Sequence, residues 1–598
     1  MTVRQSAPSG DSTEDLRRGI GLHQAGDLPA AERIYRRVIE AEPGNSDALH
    51  LLGVLATQAG QAATATSLIR QAIEVFSQNP VYWCSLGNAL NQQGAPAEAV
   101  EAYEQAVRLD PAFADALSNL GAVLPELGRL AEAESALKRA LEINPGLVQA
   151  LNNLGSTLQT AGRPGEAVTV LEQAVELKPD FAAAFNNLGN ALKDLERFSR
   201  AEAAYGRALA LDSSLAEAAR NLGLALQEQG KFEEAIAAYD GALATGAGYA
   251  EAHCARGTAL REVGRHAESE AAFRQAIEIR PDYAEAHWNR AYPLLTLERY
   301  GEGWEEYEWR WRVGELQSRQ RNFTQPGWDG SPLEGRTLLL YNEQGWGDVF
   351  NFIRYVPLAK ERGATVVVEC KAPIKALIET VKGIDRTVVE GEPLGDFDVH
   401  APLASLPRIF ATTTTSIPAE TPYLRPPEVA APPPIEAGPG PAVGLVWAGK
   451  PTPRNNLKRT MPCQFLERLA VVGGCRFFSL QSGPPAGELA AFPWAGGIAD
   501  MSKHLVDFSA TAAAIGRLDL VISIDTAVAH LAGALGKPVW TLLPFVADWR
   551  WLLDREDSPW YPTMRLFRQP ALGDWAGLID RVAPALEEFA GAGRTEPR

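Results

Sequence analysis

Apolar and small side chains recur along the first three hundred residues at a fixed step. Glycine stands at Gly19, Gly53, Gly87, Gly121, Gly155, Gly189, Gly223 and Gly257, each 34 residues after the last. In the third unit Trp83, Leu86, Gly87, Leu90, Ala99, Tyr103, Ala106 and Pro111 supply a large residue, a Leu-Gly pair, small residues at helix crossings and a proline. That proline ends the second helix because it lacks the N–H a continuing ladder needs. The second small position recurs as Ala72, Ala106, Ala140, Ala174, Ala208, Ala242 and Ala276. Three residue types in phase predict antiparallel helix pairs, each stacked on the next, over residues 13–312. The ninth unit keeps the phase with Ala291 in the glycine slot, then runs into GWEEYEWRWR. Its aromatic end predicts a cap that docks on a following domain.

After 313–335, a linker rich in Gln, Arg, Gly and Pro, the pattern changes. Short β-branched runs alternate with helical segments: TLLLY (337–341), a helix over 349–362, ATVVVE (364–369), PIKALIETV, RTVV and DFDVH. A proline-rich stretch at 417–441 interrupts the series. A second series follows with AVGLVWAG (442–449), RFFSLQ (476–481), DLVISID (519–525) and KPVWTLLP (537–544). Strand–helix alternation predicts parallel sheets covered on both faces. The expected architecture is an α-solenoid followed by two Rossmann-like α/β halves, 336–430 and 431–592. Residues 1–12 are expected to be disordered and 593–598 to form a tail. Ligands of such sheets bind beyond the C-terminal ends of the strands, here in the cleft between the halves.

The 34-residue unit is that of the tetratricopeptide repeat, a protein-binding superhelix. Charge narrows the partners: the net charge of −18 argues against nucleic acid and anionic membranes. Cys84, Cys254, Cys370, Cys463 and Cys475 show no CxxC spacing and predict free thiols rather than a disulfide frame or zinc site. The first fifteen residues have no apolar stretch of the secretory kind, and no run of 18 apolar residues predicts a membrane span. A cytoplasmic location is expected.

The best-defined motif is LVISIDTAVAHLAGALGKP (520–538). An apolar strand ends at Asp525, and a helix begins with Asp525 or Thr526 as N-cap and stops at Gly536 and Pro538. First-turn N–H groups of such a helix suit a diphosphate, although an ordinary capped helix reads the same way. The segment resembles the nucleotide-sugar site of the heptosyltransferase-like glycosyltransferases, with Asp525, Thr526, Ala527, His530 and Leu531 in the motif positions and Ala527 in place of the usual glycine. YNEQGWGDVFNFIRYVP (341–357) resembles the first strand-loop-helix of those enzymes, and RNNLKRTMP (454–462) their basic phosphate loop. The resemblance covers 336 onward and implies a GT-B fold of two Rossmann-like halves with a metal-independent site and no cofactor beyond the nucleotide-sugar donor. It implies Asp348 as general base and Arg459, with Arg454, as the donor's phosphate ligands. Gln344, Gly345 and Gly347 fall in the acceptor loop. Trp447 and Gln481, at strand ends of the second half, are placed on the donor side. His400, after the strand DFDV, is the alternative base or a structural histidine. Asp396 and Asp398 mimic a metal motif of a different architecture and are set aside. Trp549, Trp551, Trp560 and Tyr561 fit packing better than sugar stacking.

The whole layout is similar to the protein O-GlcNAc transferases and to bacterial repeat-containing flagellin glycosyltransferases. Two residues before the repeat glycine stand Asn119, Asn153, Asn187, Asn221 and, in the last unit, Asn289. The resemblance implies an amide ladder on the concave face that holds an extended peptide, since an amide both donates and accepts. The residues alone equally allow a solvated consensus position. The expected function is an inverting protein O-glycosyltransferase whose repeats recruit the acceptor protein. The alternatives are a non-catalytic scaffold with a relict nucleotide pocket, and a transferase acting on a lipid-linked or polysaccharide acceptor.

Overall fold

The computed structural model describes residues 10–246, 249–427, 433–449 and 459–592. The chain divides into two compact units, 1–247 and 248–598. The helix pairs run on to Arg312, but the last two of them belong to the second unit with the sheets. The expected disordered stretch 1–12 is also too long, because the first helix, Gly10–Gln24, starts within it.

The first unit contains seven helix pairs among its described residues, from Gly10–Gln24 and Leu28–Ala41 to Ala216–Glu228 and Phe232–Ala244. The periodic glycine has a steric cause. A Cβ built on Gly87 would lie 2.5 Å from the Tyr103 ring, and one on Gly121 2.4 Å from Leu137. The large side chain sixteen residues later lies flat on each glycine, so any side chain would push the two helices apart. The periodic alanines Ala72, Ala106, Ala140, Ala174, Ala208 and Ala242 are fully buried. A second glycine series, Gly26, Gly60, Gly94, Gly128, Gly162 and Gly230, ends the first helices at φ between +73° and +80°. Glu196 takes that position in the sixth pair at φ +56°.

The second unit begins with two more pairs, Ala250–Glu262 with His266–Ile279 and Ala284–Thr296 with Tyr300–Tyr307. Ten parallel strands follow among the described residues: β1 Thr337–Tyr341, β2 Thr365–Cys370, β3 Arg386–Val389, β4 Val399–Pro402, β5 Ala442–Val446, β6 Arg476–Ser479, β7 Ile498–Asp500, β8 Leu520–Ile524, β9 Val539–Leu543 and β10 Met564–Arg568. They form two sheets, β3-β2-β1-β4 and β10-β9-β8-β5-β6-β7. Strands β7 and β10 carry no run long enough to be read from the sequence.

Both sheets are doubly wound. In each, the chain builds outward from its first strand on one side and then returns to the other side. The reversal falls between β1 and β4 in the first sheet and between β5 and β8 in the second. Beyond these strand ends the connecting loops part in opposite directions and leave a crevice.

Residues 313–335 are not a free linker. Gly327 bridges His400 on β4, Trp328 N–H donates to the His400 carbonyl at 2.8 Å, and Trp328 and Leu333 are buried. The 430/431 boundary falls outside the described residues.

Candidate functional site

The crevice of the first sheet is filled from within. Glu343 leaves β1 and Ser405 leaves β4, and the Arg310 guanidinium of the last repeat's cap lies on both: Nη2 donates to Glu343 Oε1 at 3.0 Å and to Ser405 Oγ at 2.7 Å. Arg310 is fully buried. Burial pushes the Glu343 carboxyl up to about 7 even with Arg310 beside it. The aromatic end of the last repeat follows the same route, with Trp304 edge-on to Trp549 at 5.2 Å and its Nε1–H on the Thr412 carbonyl. Gln344 Nε2 donates to Tyr307 Oη at 3.0 Å. The expected acceptor loop is thus docked on the repeat cap.

The crevice of the second sheet is open. A cavity of about 320 Å³ lies there, walled by Arg459, Asp525, Asp548 and Trp549 on one side and by His266, Asn289 and Tyr292 of the last repeats on the other. Met461 N–H bonds the Trp447 carbonyl at 2.9 Å and brings Arg459 back to the end of β5. Its Nε–H is buried without a protein partner among the described residues. Asp525 ends β8, and Thr526 is the N-cap of the helix Ala527–Ala534 with no side-chain capping bond. The first-turn N–H groups of that helix adjoin Asp525.

Behind Asp525 stands a buried polar chain. His530 Nδ1 lies 2.9 Å from Tyr561 Oη, and Nε2 lies 3.6 Å from Asp525 Oδ1. Burial opposes the imidazolium, but Tyr561 and Asp525 outweigh it and raise His530 to about 9. Burial likewise opposes the Asp525 carboxylate, yet His530 and Arg459 hold its pKa below the usual value. Each group thus favours the charged form of the other across that contact.

Gly347 has a role different from the one expected. Its built Cβ would meet His530 Cδ2 at 2.9 Å and Ala527 Cα at 3.7 Å. The glycine lets the helix Trp346–Phe352 pack on the helix of Asp525 and Thr526, so it admits a neighbouring helix rather than an acceptor. Gly345 is the N-cap of Trp346–Phe352, and Asp348 sits at the third helical position, not at the cap. One Asp348 oxygen accepts the Gly345 N–H at 3.1 Å and the other pairs with Arg550. Arg550 is buried and also holds Asp548, Nη1 to Oδ1, at 2.9 Å. Sequence reasoning missed Arg550; its only signal is a cation among the tryptophans of DWRWLLD.

Other expected residues lie apart. Gln481 spends its amide on backbone, accepting from Trp447 N and Ala448 N at 3.2 and 3.0 Å and donating to the Ala448 carbonyl at 3.0 Å. No group remains free on it to read a nucleotide base. Trp447 is fully buried in the core, its Nε1–H on Glu488. His400 packs against Phe323 and Tyr341 on the first sheet, away from the cavity lining, and burial lowers its pKa. Trp551, Trp560 and Tyr561 are fully buried, as packing requires. Arg454 lies outside the described residues. Asn289 accepts from Arg261 Nη1 at 3.3 Å at the cavity wall.

In the first unit three ladder amides bond to other asparagines on the preceding helix pair. Asn119 donates to Asn88, Asn187 to Asn152 and Asn221 to Asn190, at 3.1, 2.9 and 2.8 Å. Asn221 is buried, so its position is not a freely solvated one. Asn153 is half-buried in the same row.

Two family models match the helix pairs. The C-terminal domain of cilia and flagella-associated protein 70 matches residues 9–221, and the tetratricopeptide repeat matches 214–282. The helical half is a run of tetratricopeptide repeats, an architecture that binds protein partners. Protein FlbA of Caulobacter vibrioides is 30% identical over 327 residues, 50% of this chain and 54% of FlbA. The chain thus spans about half the length of that curated relative. Among solved structures, the Cut9–Hcn1 hetero-tetramer of APC/C is 18% identical over 44% of this chain and 52% of its own, with a TM-score of 0.37. PilF of Pseudomonas aeruginosa is 21% identical over 36% of this chain and 96% of its own, with a TM-score of 0.33. Among the described residues no helix is long and apolar enough to cross a membrane.

Proposed function

We propose that the chain is a nucleotide-sugar-dependent glycosyltransferase whose repeats recruit a protein acceptor. The observation that carries this reading is the open crevice of the second sheet, with Arg459 and Asp525, the residue before the Thr526-capped helix, on its wall. Two doubly wound parallel sheets in one chain suit a GT-B arrangement. The motifs at 341–357, 454–462 and 520–538 resemble those of heptosyltransferase-like enzymes in the same order. On this reading the donor's diphosphate lies against Arg459 and the first turn of Ala527–Ala534. Those fixed dipoles and the guanidinium stabilise charge on the leaving group. An acceptor hydroxyl attacks the anomeric carbon from the opposite side and inverts it. Flagellin is the first acceptor to try, on the resemblance to repeat-containing flagellin glycosyltransferases.

Calorimetry of the full chain with UDP, GDP, ADP and CMP, with and without EDTA, tests the donor site. One nucleotide is expected to bind in EDTA, and Arg459→Ala to weaken it by about 1.5–3 kcal/mol. Binding of none of them, or strict dependence on added divalent metal, refutes the proposed site. A second reading, a repeat scaffold with a regulatory nucleotide pocket, is favoured by the first sheet's crevice, which Arg310 closes. It predicts nucleotide binding with no sugar transfer.

A further inference from the structure

The loop after β9 carries a carboxylate that the motifs do not point to. We infer that Asp548, and not Asp348, is the general base of the proposed transfer, an assignment that rests on the glycosyltransferase reading. Asp548 lines the open cavity beside Arg459 and Asp525, whereas Asp348 is not part of its wall. The two carboxylates share Arg550 but are used differently. Both Asp348 oxygens are engaged, one by Arg550 and one by the Gly345 N–H. Asp548 takes both of its bonds on one oxygen: Oδ1 accepts the Arg550 backbone N–H at 3.0 Å and Arg550 Nη1 at 2.9 Å. Its Oδ2 has no hydrogen-bond partner among the described residues. Arg550 is itself fixed, since its other Nη lies on Asp348 and its guanidinium stacks on Trp549 at 4.3 Å. The Asp348–Arg550–Asp548 bridge thus orients a free carboxylate oxygen on the cavity wall, as a positioned base requires.

Two other groups on the wall are weaker candidates. Asp525 is already engaged, with His530 Nε2 3.6 Å from its Oδ1 and Arg459 beside it. His266 lines the cavity, but its Nδ1 is buried without a hydrogen-bond partner among the described residues, so no bond there orients the ring as a base.

In the step proposed, the acceptor oxygen forms a bond to the anomeric carbon as that carbon's bond to the diphosphate oxygen breaks. The bonding pair leaves with the nucleoside diphosphate. The hydroxyl proton passes to Asp548 Oδ2.

The test uses the full chain with flagellin as acceptor and the glucose and N-acetylglucosamine conjugates of UDP, GDP and ADP, following release of the nucleoside diphosphate. Asp548→Asn is expected to bind the diphosphate as wild type does and to lose turnover by about a hundred- to ten-thousand-fold. Asp548→Ala with sodium azide is expected to regain turnover and yield the glycosyl azide, because azide attacks without surrendering a proton. A purely structural role for Asp548 gives no such rescue. Asp348→Asn is expected to lower the unfolding midpoint and to show no azide rescue. Near-wild-type turnover in Asp548→Asn, failure of azide to rescue Asp548→Ala, or rescue confined to Asp348→Ala or His266→Ala overturns the assignment. A wild-type chain that binds a diphosphate yet cleaves none of the conjugates also overturns it, with nucleotide binding left standing. A chain that binds no diphosphate overturns the glycosyltransferase reading itself.

Discussion

Arg310→Met tests whether the last repeat is built into the sheet unit. The guanidinium is fully buried and Glu343 is 4% exposed, with 3.0 Å between Nη2 and Oε1. Removing one partner of such a pair strands the other charge and costs about 3–5 kcal/mol. Glu343 has a route out: burial already holds its carboxyl near 7, so without Arg310 it takes up a proton at neutral pH. The lost bonds to Ser405 and Glu308 remain uncompensated. The expected cost is therefore near the lower bound, about 3 kcal/mol. Adding Glu343→Leu removes the stranded group, and the double variant should recover about 2 kcal/mol. The protein supplies its own probe. Thirteen of the 14 tryptophans lie in the second unit, from Trp288 onward, and only Trp83 lies in the first. Urea unfolding followed by tryptophan fluorescence thus reports on that unit. With a slope of about 3 kcal/mol per molar urea, Arg310→Met should lower the midpoint by about 1 M. A midpoint equal to wild type, or a double variant no better than the single one, refutes the buried-socket argument.

Truncation should obey the same boundary: residues 249–598 should be soluble and unfold cooperatively by fluorescence, whereas 313–598, deprived of Trp304, Tyr307 and Arg310, should aggregate. Gly347→Ala forces a Cβ to within 2.9 Å of the His530 ring and should cost about 1–3 kcal/mol in the same urea assay. Stability should also depend on pH through Glu343. Its folded pKa of about 7 lies above the ordinary glutamate value of 4.5, so its contribution is complete below pH 4.5 and is lost as pH rises to 7. The urea midpoint should fall over that window, and Glu343→Gln should flatten the slope.

Much of the fold is legible in the chain because its causes are local or periodic. The repeat glycines and alanines announce helix contacts that recur every 34 residues, and each contact is satisfied within one helix pair. A second glycine series at the helix ends, Gly26 to Gly264, carries the same period and was available to the same reasoning. Eight of the ten strands are apolar runs between turn residues. The three-residue β7 and the alternating β10, MRLFR, lack that continuous signature.

The candidate site was legible in part. Asp525 and Arg459 reach the crevice because strand ends bordering a topological reversal are its natural lining. The uses of Gln481, Trp447 and Asp348 were not, since each depends on a partner brought close by folding. Gln481 meets backbone 33 and 34 residues away, and Asp348 meets Arg550 across 202. Period and propensity thus determined that this chain would be helix pairs followed by parallel α/β halves. Tertiary structure alone decided where the units divide, which crevice stays open, and which carboxylate keeps a free oxygen. Those outcomes turn on burial and on competition for hydrogen-bond partners among distant segments, and no local pattern of residues encodes that competition.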